Sequence, residues 1–315
     1  MSEPRCMQPD GAPCTLLVVL GPTGVGKTDA SLRLAQYFST VVVSADARQV
    51  FREMRIGTAV PDACQLATVP HYFIGSRSIH EHYTAGQYER EVLALLERLF
   101  PTHGTVLLAG GSGLYIDAVC RGIDCFPATD LSLRRQLSER LQREGVEGLR
   151  FLLKQLDPTT YRTIDLKNPQ RIVRALEVCM ATGRPYSGWK TGVAKPRPFR
   201  ILKVGLRRRR EELYERIDAR VGQMMEAGLL DEARALYPYK GLPALRTVGY
   251  AELFDYMEGQ TTLEEAVRLI RLHTRRYAKK QLSYWSRDPA IHWIDATDGE
   301  LLEKVVALHD KKEWK

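Results

Sequence analysis

The chain has 315 residues, of which 44% are hydrophobic, and its formal net charge is +8. This apolar fraction supports a sizeable folded core, and the positive charge permits a polyanionic partner without identifying one. Because the sequence has no run of eighteen apolar residues and no basic-then-apolar leader, we expect a cytoplasmic protein that does not bind membranes.

The first 38 residues combine an extension, a strand, a glycine-rich loop and a helix. Residues 1–14 are an N-terminal extension and a candidate for disorder. The β-rich run at residues 15–20 leads directly into the glycine-rich loop. Residues 29–38 then have helical spacing, with Leu32, Leu34 and Ala35 turned inward.

The glycine-rich segment matches the phosphate-binding pattern G-x-x-x-x-G-K-[ST], and it follows a strand and opens a helix, as the mechanism of such a loop requires. Its backbone amides can surround phosphate oxygens, Lys27 can neutralise the terminal phosphate, and Thr28 can ligate Mg²⁺. The sequence therefore predicts a site for a diphosphate or triphosphate. The loop residues are Gly21, Pro22, Thr23, Gly24, Val25, Gly26, Lys27 and Thr28.

Further apolar runs predict the rest of a sheet. Runs bounded by turn residues occur at 40–44 and 105–109, a longer one at 199–206 and a short one at 292–294. A helix is predicted at 86–100, between the second and third strands. Short apolar runs of this kind are typical of buried parallel strands. We therefore predict an α/β fold with the three-layer parallel sheet of P-loop NTPases.

Strand patterns stop between residues 123 and 195, and helical patterns replace them. The last of these helices has Asn168 as its N-cap, Pro169 at its first position and Gly183 beyond its end. We therefore divide the chain into a catalytic core, residues 15–122 and 196–315, and a helical insertion, residues 123–195. The helices predicted in the insertion are 131–144, 148–156 and 168–182.

The strand at 105–109 lacks the acidic residue that usually follows it in nucleoside triphosphatases, where that residue holds magnesium. Here the chain continues as Gly110-Gly111-Ser112. The nearest well-placed carboxylate is Asp46, at the end of the strand at 40–44, and the carboxyl ends of parallel strands converge on the ligand crevice. Asp46 is a candidate general base, with the capping of a turn as its alternative role.

The helix at residues 263–285 carries the clearest basic pattern. Arg268, Arg271, Arg275 and Lys279 recur at three- and four-residue spacing, which predicts a cationic face that follows phosphates. An ordinary solvated amphipathic helix is the alternative. The residues interpreted as its packing side are Leu269, Ile270, Tyr277 and Tyr284. We interpret the arginines at 207–210 as plain surface.

Cysteine and histidine spacing argues against a transition-metal centre. The sequence contains no C-x-x-C and no H-E-x-x-H. We expect six reduced, mostly buried thiols, at Cys6, Cys14, Cys64, Cys120, Cys125 and Cys179.

Ordered motifs along most of the chain are more specific. From about residue 16 to 293 the sequence resembles the tRNA dimethylallyltransferases, the isopentenyltransferase family. The segments that carry this resemblance are SADARQVFR at 44–52, MRIGTA at 54–59, PH at 70–71, AGGSGLY at 109–115, NPQRIVRALE at 168–177, RTVGY at 246–250 and TRRYAKKQ at 274–281.

The resemblance implies transfer of a dimethylallyl group from dimethylallyl diphosphate to N6 of adenosine 37, beside the anticodon of tRNAs that read codons beginning with U. It implies that the phosphate loop holds the isoprenoid diphosphate, which agrees with the missing acid after residue 109. The implied partners are the anticodon stem-loop of tRNA and dimethylallyl diphosphate, with Mg²⁺ as cofactor. We expect a monomer.

By the same resemblance, Asp46 accepts the N6 proton, and Lys27 and Mg²⁺ on Thr28 stabilise the leaving diphosphate. Thr23 and Ser112 are implied at the diphosphate or the target base, and Arg134 near the active-site channel. The sequence departs from the family pattern at Ala47, where serine is usual. A hydroxyl beside Asp46 is therefore missing.

An enzyme that acts on a stacked base must flip it out and hold the opened loop. The resemblance implies tRNA contacts at the positions around Asp46, on the insertion helix and on two C-terminal segments. On the insertion helix a solvated helix face or an ion pair with Glu177 is the alternative role for the arginines. The implied positions are Asp46, Ala47, Arg48, Gln49, Ser112, Arg134, Gln170, Arg171, Ile172, Val173, Arg174, Arg246, Thr247, Val248, Gly249, Tyr250, Thr274, Arg275, Arg276, Lys279, Lys280 and Gln281. The insertion would then be a tRNA-contacting lid.

Two other functions use a strand, a phosphate loop and helices. A small-molecule kinase would bind ATP tightly and turn it over. An RNA-binding NTPase switch would need a water-positioning residue and a magnesium-binding acid, neither of which we can assign in the sequence.

Overall fold

Six parallel strands form one sheet in the described part of the chain. The computed structural model describes residues 6–8, 12–124, 126–127 and 130–311, so Cys125 and much of the extension at 1–14 lie outside it. The strands are β1 (Thr15–Leu20), β2 (Val42–Ser44), β3 (His71–Tyr72), β4 (Thr105–Gly110), β5 (Arg200–Arg207) and β6 (Ile291–Asp295), in the order β3-β2-β4-β1-β5-β6. The α/β parallel sheet is confirmed, and β3 is a strand that the sequence did not predict.

Helices connect and cover the strands. In chain order they are α1 (Lys27–Tyr37), α2 (Ala63–Thr68), α3 (Ala85–His103), α4 (Gly113–Arg121), α5 (Leu131–Leu156), α6 (Pro158–Thr163), α7 (Pro169–Thr182), α8 (Arg210–Glu226), α9 (Leu229–Leu236), α10 (Tyr250–Met257), α11 (Leu263–Trp285) and α12 (Leu301–Asp310). Within the described residues, none is long and apolar enough to cross a membrane.

The two faces of β1 belong to two different hydrophobic cores. Leu16 and Val18 are buried in one core, with side chains mainly of α3 and α4, whereas Leu17 and Val19 are buried in the other, with side chains mainly of α1, α8 and α12. Since alternate residues of a strand point to opposite faces, this division is that of a sheet between two helical layers. Leu20 at the end of β1 is level with Gly110 of β4 and Gly205 of β5.

A third core of the same unit lies among α8, α9, α10 and α11. It contains Val50 and Met54 from the loop after β2, together with Leu229 of α9, Tyr250 of α10 and Ile270 of α11. The loop that follows Asp46 is therefore anchored by apolar side chains far from it in sequence.

The chain forms two compact units, residues 1–121 with 196–315, and residues 122–195. These boundaries lie within one residue of those drawn from the sequence. The second unit has its own core, to which Leu149, Leu153, Ile172 and Leu176 contribute.

The insertion helices begin and end close to the predicted positions. Helix α5 joins the two segments predicted at 131–144 and 148–156, with a kink at Gly145, whose φ of 73° is readily adopted only by glycine. The Asn168 side chain accepts the Arg171 amide at the start of α7, and Gly183 is left-handed at its end, as the sequence predicted.

Part of the N-terminal extension packs on the first unit. Residues 6–8 and 12–14 approach each other through a bridge between Met7 and Pro13, and the Cys6 amide donates to the Pro198 carbonyl. The described cysteines, which exclude Cys125, are free thiols, and Cys64 is the exposed one among them.

Candidate active site

The phosphate loop leaves the end of β1 and enters α1 in the predicted place. A Cβ at Gly21 would lie 2.8 Å from the Leu206 carbonyl oxygen, so the close approach of loop and β5 requires glycine. Gly26, the N-cap of α1, has a φ of 111°, which other residues rarely adopt. The loop amides thus lie at the N-terminus of a helix, where partial positive charge favours phosphate.

Lys27 is held inside the loop by backbone oxygens. Its Nζ donates to the carbonyls of Gly21 and Pro22, at 2.9 Å each. The pKa of Lys27 is lowered to about 7, mainly by burial and also by the charge of Arg220, while Asp46 acts in the opposite direction. Lys27 therefore titrates near neutral pH, and an anion beside it would favour its charged form.

Three arginines reach the phosphate loop, one from just before α8 and two from within it. Arg216 Nε donates to the Gly24 carbonyl at 2.9 Å, and Arg208 Nε makes a longer contact of 3.4 Å with the Val25 carbonyl. Arg220 lies 3.5 Å from Thr23 Oγ1, and burial lowers its pKa while Asp46 raises it.

These arginines correct the sequence interpretation. Arg208, taken as plain surface, has a side chain only 14% exposed and lies on the loop. Arg216 and Arg220 were not singled out at all. Their four-residue spacing places both on one face of α8, and that pattern was the available signal.

Asp46 caps a turn and also lines a cavity. Its Oδ1 accepts the amides of Arg48 at 2.8 Å and Gln49 at 3.3 Å, which caps the turn after β2. It also lines a cavity of about 510 Å³. Thr23, Lys27, Thr28 and Arg220 line the same cavity. A carboxylate and a cationic phosphate loop therefore share one space.

Ser112 connects the ends of β2 and β4. Its Oγ accepts the Ala47 amide at 2.8 Å, and its own amide donates to the Ala45 carbonyl at 3.1 Å. The hydroxyl expected near the diphosphate or base thus also fixes the backbone beside Asp46. Position 47, which lacks the family's usual hydroxyl, takes part in this contact through its backbone alone.

Gln49 lines the cavity with its amide group already hydrogen-bonded. Its Nε2 donates to the carbonyls of Thr58 at 3.2 Å and Ala59 at 3.1 Å, and its Oε1 accepts from Ser44 Oγ at 3.2 Å. These bonds fix the orientation of a side chain that the sequence assigned to base recognition.

Gln281, another implied tRNA contact, is buried between the phosphate loop and the end of β4. Its Oε1 accepts the Thr23 amide at 2.9 Å, and its Nε2 donates to the Gly111 carbonyl at 2.8 Å. A Cβ at Gly111 would lie 2.5 Å from that Nε2. The polar atoms of Gln281 therefore hold the loop, and the residue also lines the cavity.

The other implied tRNA contacts divide by exposure. Ile172, Val173 and Tyr250 are at most 1% exposed, so they present no surface to RNA while these cores stay packed. Thr247, Val248 and Thr274 are half-buried, and the Gly249 backbone is buried. The exposed positions of this set are Gln170, Arg171, Arg246, Arg276, Lys279 and Lys280.

Several predicted cationic residues have acidic partners. In the insertion, Arg134 and Arg174 both contact the buried Glu177, at 3.5 and 3.2 Å, which is the alternative considered for Arg174. On α11, Arg268 pairs with Glu265 and Arg275 with Asp218.

The predicted packing side of α11 is also only partly correct. Ile270 is buried, but Tyr277 and Tyr284 are 44% and 45% exposed. Tyr284 donates to Asp117, and Tyr277 lines the cavity.

Comparison with known proteins places this arrangement in a family. Residues 49–288 match the model of the IPP transferase family. The tRNA dimethylallyltransferase 1 of Phocaeicola vulgatus is 50% identical over 282 residues, 90% of this chain and 94% of that protein.

Two solved structures are also similar. The full-length tRNA isopentenylpyrophosphate transferase from Bacillus halodurans is 34% identical, with a TM-score of 0.67 over 94% of this chain and 95% of that one. A eukaryotic dimethylallyltransferase acting on tRNA is 24% identical, with a TM-score of 0.77 over 94% of this chain and 77% of that one, and shares the fold. Because the family model matches most of the chain and the Phocaeicola vulgatus protein is 50% identical over 90% of it, the chain belongs to the IPP transferase family.

Proposed function

We propose that this protein transfers a dimethylallyl group from dimethylallyl diphosphate to N6 of adenosine 37 in tRNAs that read codons beginning with U. The observation that carries the proposal is the cavity in which Asp46 lies together with the phosphate loop and Arg220. Relatives named tRNA dimethylallyltransferase, half identical over most of the chain, support the reaction type. Family membership argues against the kinase and NTPase-switch alternatives.

The phosphate loop is suited to a departing diphosphate. As the bond between the allylic carbon and the diphosphate oxygen breaks, negative charge builds on the phosphates. The loop amides, Lys27, and Arg216 and Arg220 of α8 would stabilise that charge. Because Lys27 is buried, its charge is less screened than on an open surface.

The residues present fit Mg²⁺ bound mainly by substrate. The described residues contain no group of three histidine, cysteine or acidic side chains that would form a metal site of their own, whereas Thr28 and Asp46 line one cavity. Magnesium commonly takes one or two protein ligands, phosphate oxygens and water. The Thr28 hydroxyl would hold the ion, which would supply further charge neutralisation on the diphosphate.

Asp46 would act on the nucleophile. The lone pair of adenine N6 is delocalised into the ring, so attack on the allylic carbon needs removal of an N6 proton. A new N6–carbon bond forms, the carbon–oxygen bond breaks, and the proton passes to the carboxylate. Since Oδ1 accepts two backbone amides, Oδ2 is the oxygen available for that proton. General base catalysis of this kind contributes roughly 10²- to 10⁴-fold.

We also propose that exposed polar and cationic side chains contact the anticodon stem-loop. The start of α7 presents Gln170 and Arg171, and α11 presents Arg276, Lys279 and Lys280. Contacts of this type with phosphates make binding steeply dependent on salt.

The test is direct incubation of the protein with Mg²⁺, dimethylallyl diphosphate and unmodified tRNA that has adenine at positions 36 and 37. Mass spectrometry of the digested nucleosides is expected to detect isopentenyladenosine. A parallel reaction with ATP replacing the isoprenoid tests the kinase alternative. Absence of isopentenyladenosine, or turnover of ATP instead, contradicts the proposal.

A further inference from the structure

The segment MRIGTA at residues 54–59 has no role in the mechanism above, although the structure ties it to a carboxylate far away in sequence. Glu232 of α9 accepts three consecutive backbone amides of this segment. Oε2 accepts those of Arg55 at 2.9 Å and Ile56 at 2.8 Å, and Oε1 accepts that of Gly57 at 2.9 Å. Successive amides of this kind form a concave anion site, and here the protein fills it with its own side chain.

A fourth hydrogen bond joins the RTVGY segment to the same carboxylate. The Tyr250 hydroxyl donates to Glu232 Oε1 at 2.6 Å, and burial beside Glu232 raises the pKa of Tyr250, so the hydroxyl keeps its proton. A Cβ at Gly57 would lie 2.6 Å from that hydroxyl, so only glycine fits at this position. Glu232 thus connects the MRIGTA segment, to which the sequence assigned no role, with the RTVGY segment, which was taken as tRNA-binding.

The clamped segment leads directly into the wall of the cavity. Two backbone bonds close the turn, from the Ala59 amide to the Ile56 carbonyl and from the Val60 amide to the Arg55 carbonyl. The turn presents the Thr58 and Ala59 carbonyls to Gln49 Nε2. Arg220 Nη2 also donates to the Ala59 carbonyl, at 3.4 Å.

We propose that Glu232 is a positioning residue that fixes the 54–59 turn and, through its carbonyls, the orientation of Gln49 toward the target base. The inference rests on the proposed function of this cavity. Glu232 is not among the residues that line the cavity. The loss of Glu232 should affect tRNA binding more than diphosphate binding. Gln49, on the tRNA side, makes two hydrogen bonds to the turn, whereas Arg220, on the diphosphate side, makes one.

The experiment measures kcat and KM for Glu232→Ala, Gln49→Ala and the double variant. Hydrogen bonds to charged groups contribute strongly to the stability of a local structure. We therefore expect Glu232→Ala to raise the KM for tRNA by about 10-fold or more, and the KM for dimethylallyl diphosphate by less. If Glu232 acts through Gln49, the double variant has nearly the same tRNA KM as Gln49→Ala alone.

Matched controls separate positioning from general stability. Asp231→Ala removes the neighbouring exposed carboxylate of α9, which pairs with Arg234, and is expected to leave both KM values unchanged. Tyr250→Phe removes one of the four bonds and is expected to have an intermediate effect. Hydrogen exchange of the amides of residues 55–57 should accelerate in Glu232→Ala and not in Asp231→Ala. If Glu232→Ala does not fold, Glu232→Gln is assayed in the same way.

The outcomes are distinguishable. Wild-type protein that forms no isopentenyladenosine contradicts the proposed function itself. If the wild type is active and the Glu232 variants yield less active protein with an unchanged KM for tRNA, Glu232 is merely structural and this inference is overturned. The inference is also overturned if the two single substitutions raise the KM for tRNA independently, so that their fold-changes multiply in the double variant.

Discussion

The two walls of the cavity are built in different ways. The phosphate wall, residues 21–28, binds through backbone amides held by glycine conformations, with cationic side chains added around them. The opposite wall, residues 44–60, is held by single side chains: Ser112 on Ala47, the Gln49 amide on Thr58 and Ala59, and Glu232 on Arg55 to Gly57. A diphosphate can be bound through its charge alone, whereas a flipped base must also be held in one orientation. We infer that substitutions on the two walls have separable kinetic effects.

The largest expected effect on catalysis comes from a substitution in the opposite wall, residues 44–60. Asp46→Asn keeps an oxygen that can accept the amides of Arg48 and Gln49, so the turn is preserved while the proton acceptor is lost. We expect kcat to fall roughly 10²- to 10⁴-fold with little change in the KM for dimethylallyl diphosphate. Steady-state kinetics with saturating tRNA measures this, and equal activity in Asp46→Asn would exclude Asp46 as the base.

On the phosphate wall, Arg220→Ala removes a cation beside Thr23. We expect the KM for dimethylallyl diphosphate to rise about 10- to 100-fold, because bonds from charged groups to phosphate are lost. Arg210→Ala is the matched control, since this exposed arginine of the same helix bonds to Tyr214. An effect confined to tRNA would contradict the division between the walls.

The pH dependence of the phosphate wall follows from Lys27. Its pKa is lowered to about 7 in the ligand-free protein, so the amine is charged below pH 7 and neutral above it. A bound diphosphate favours the charged amine, and binding above pH 7 therefore takes up a proton. Affinity for inorganic diphosphate should weaken by up to about tenfold per pH unit above 7.

Titration calorimetry in buffers of different ionisation enthalpy measures this proton uptake. Lys27→Met is the reference, because any pH dependence that remains in this variant comes from the ionisation of diphosphate itself. If wild type and Lys27→Met show the same pH dependence, the buried lysine does not titrate as argued.

The smallest expected effects concern exposed cations. Lys279→Ala and Lys280→Ala should each reduce the slope of log affinity for tRNA against log salt by about 1. Arg275→Ala should change it less, because Arg275 is paired with Asp218. Filter binding over a range of salt concentrations distinguishes them, and slopes that equal the wild-type slope in all three variants would remove α11 from the tRNA surface.

Local patterns were sufficient for the phosphate wall. The glycine loop, the strand before it and the caps of α7 depend on residues within a few positions of one another, and the structure has them as predicted. The two-residue strand β3 was missed, because a run that short has no detectable periodicity.

Long-range contacts explain the remaining differences. Gly57 and Glu232 are 175 positions apart, and Thr23 and Gln281 are 258 apart, so no spacing rule connects them. Tyr250 lies in a motif taken as RNA-binding, yet it is buried against Glu232. A motif shared with a family does not by itself distinguish residues that contact the substrate from residues that hold those contacts in place.

The central claim is that the diphosphate and the target adenine meet in this one cavity. The most direct measurement incubates the protein with isotopically labelled dimethylallyl diphosphate and tRNA, then locates the label by mass spectrometry of RNA fragments. The expected result is label on adenosine 37, none on a tRNA with guanosine at that position, and none with Asp46→Asn on the same timescale. Label at another position, or equal labelling by the Asp46→Asn variant, would contradict the account.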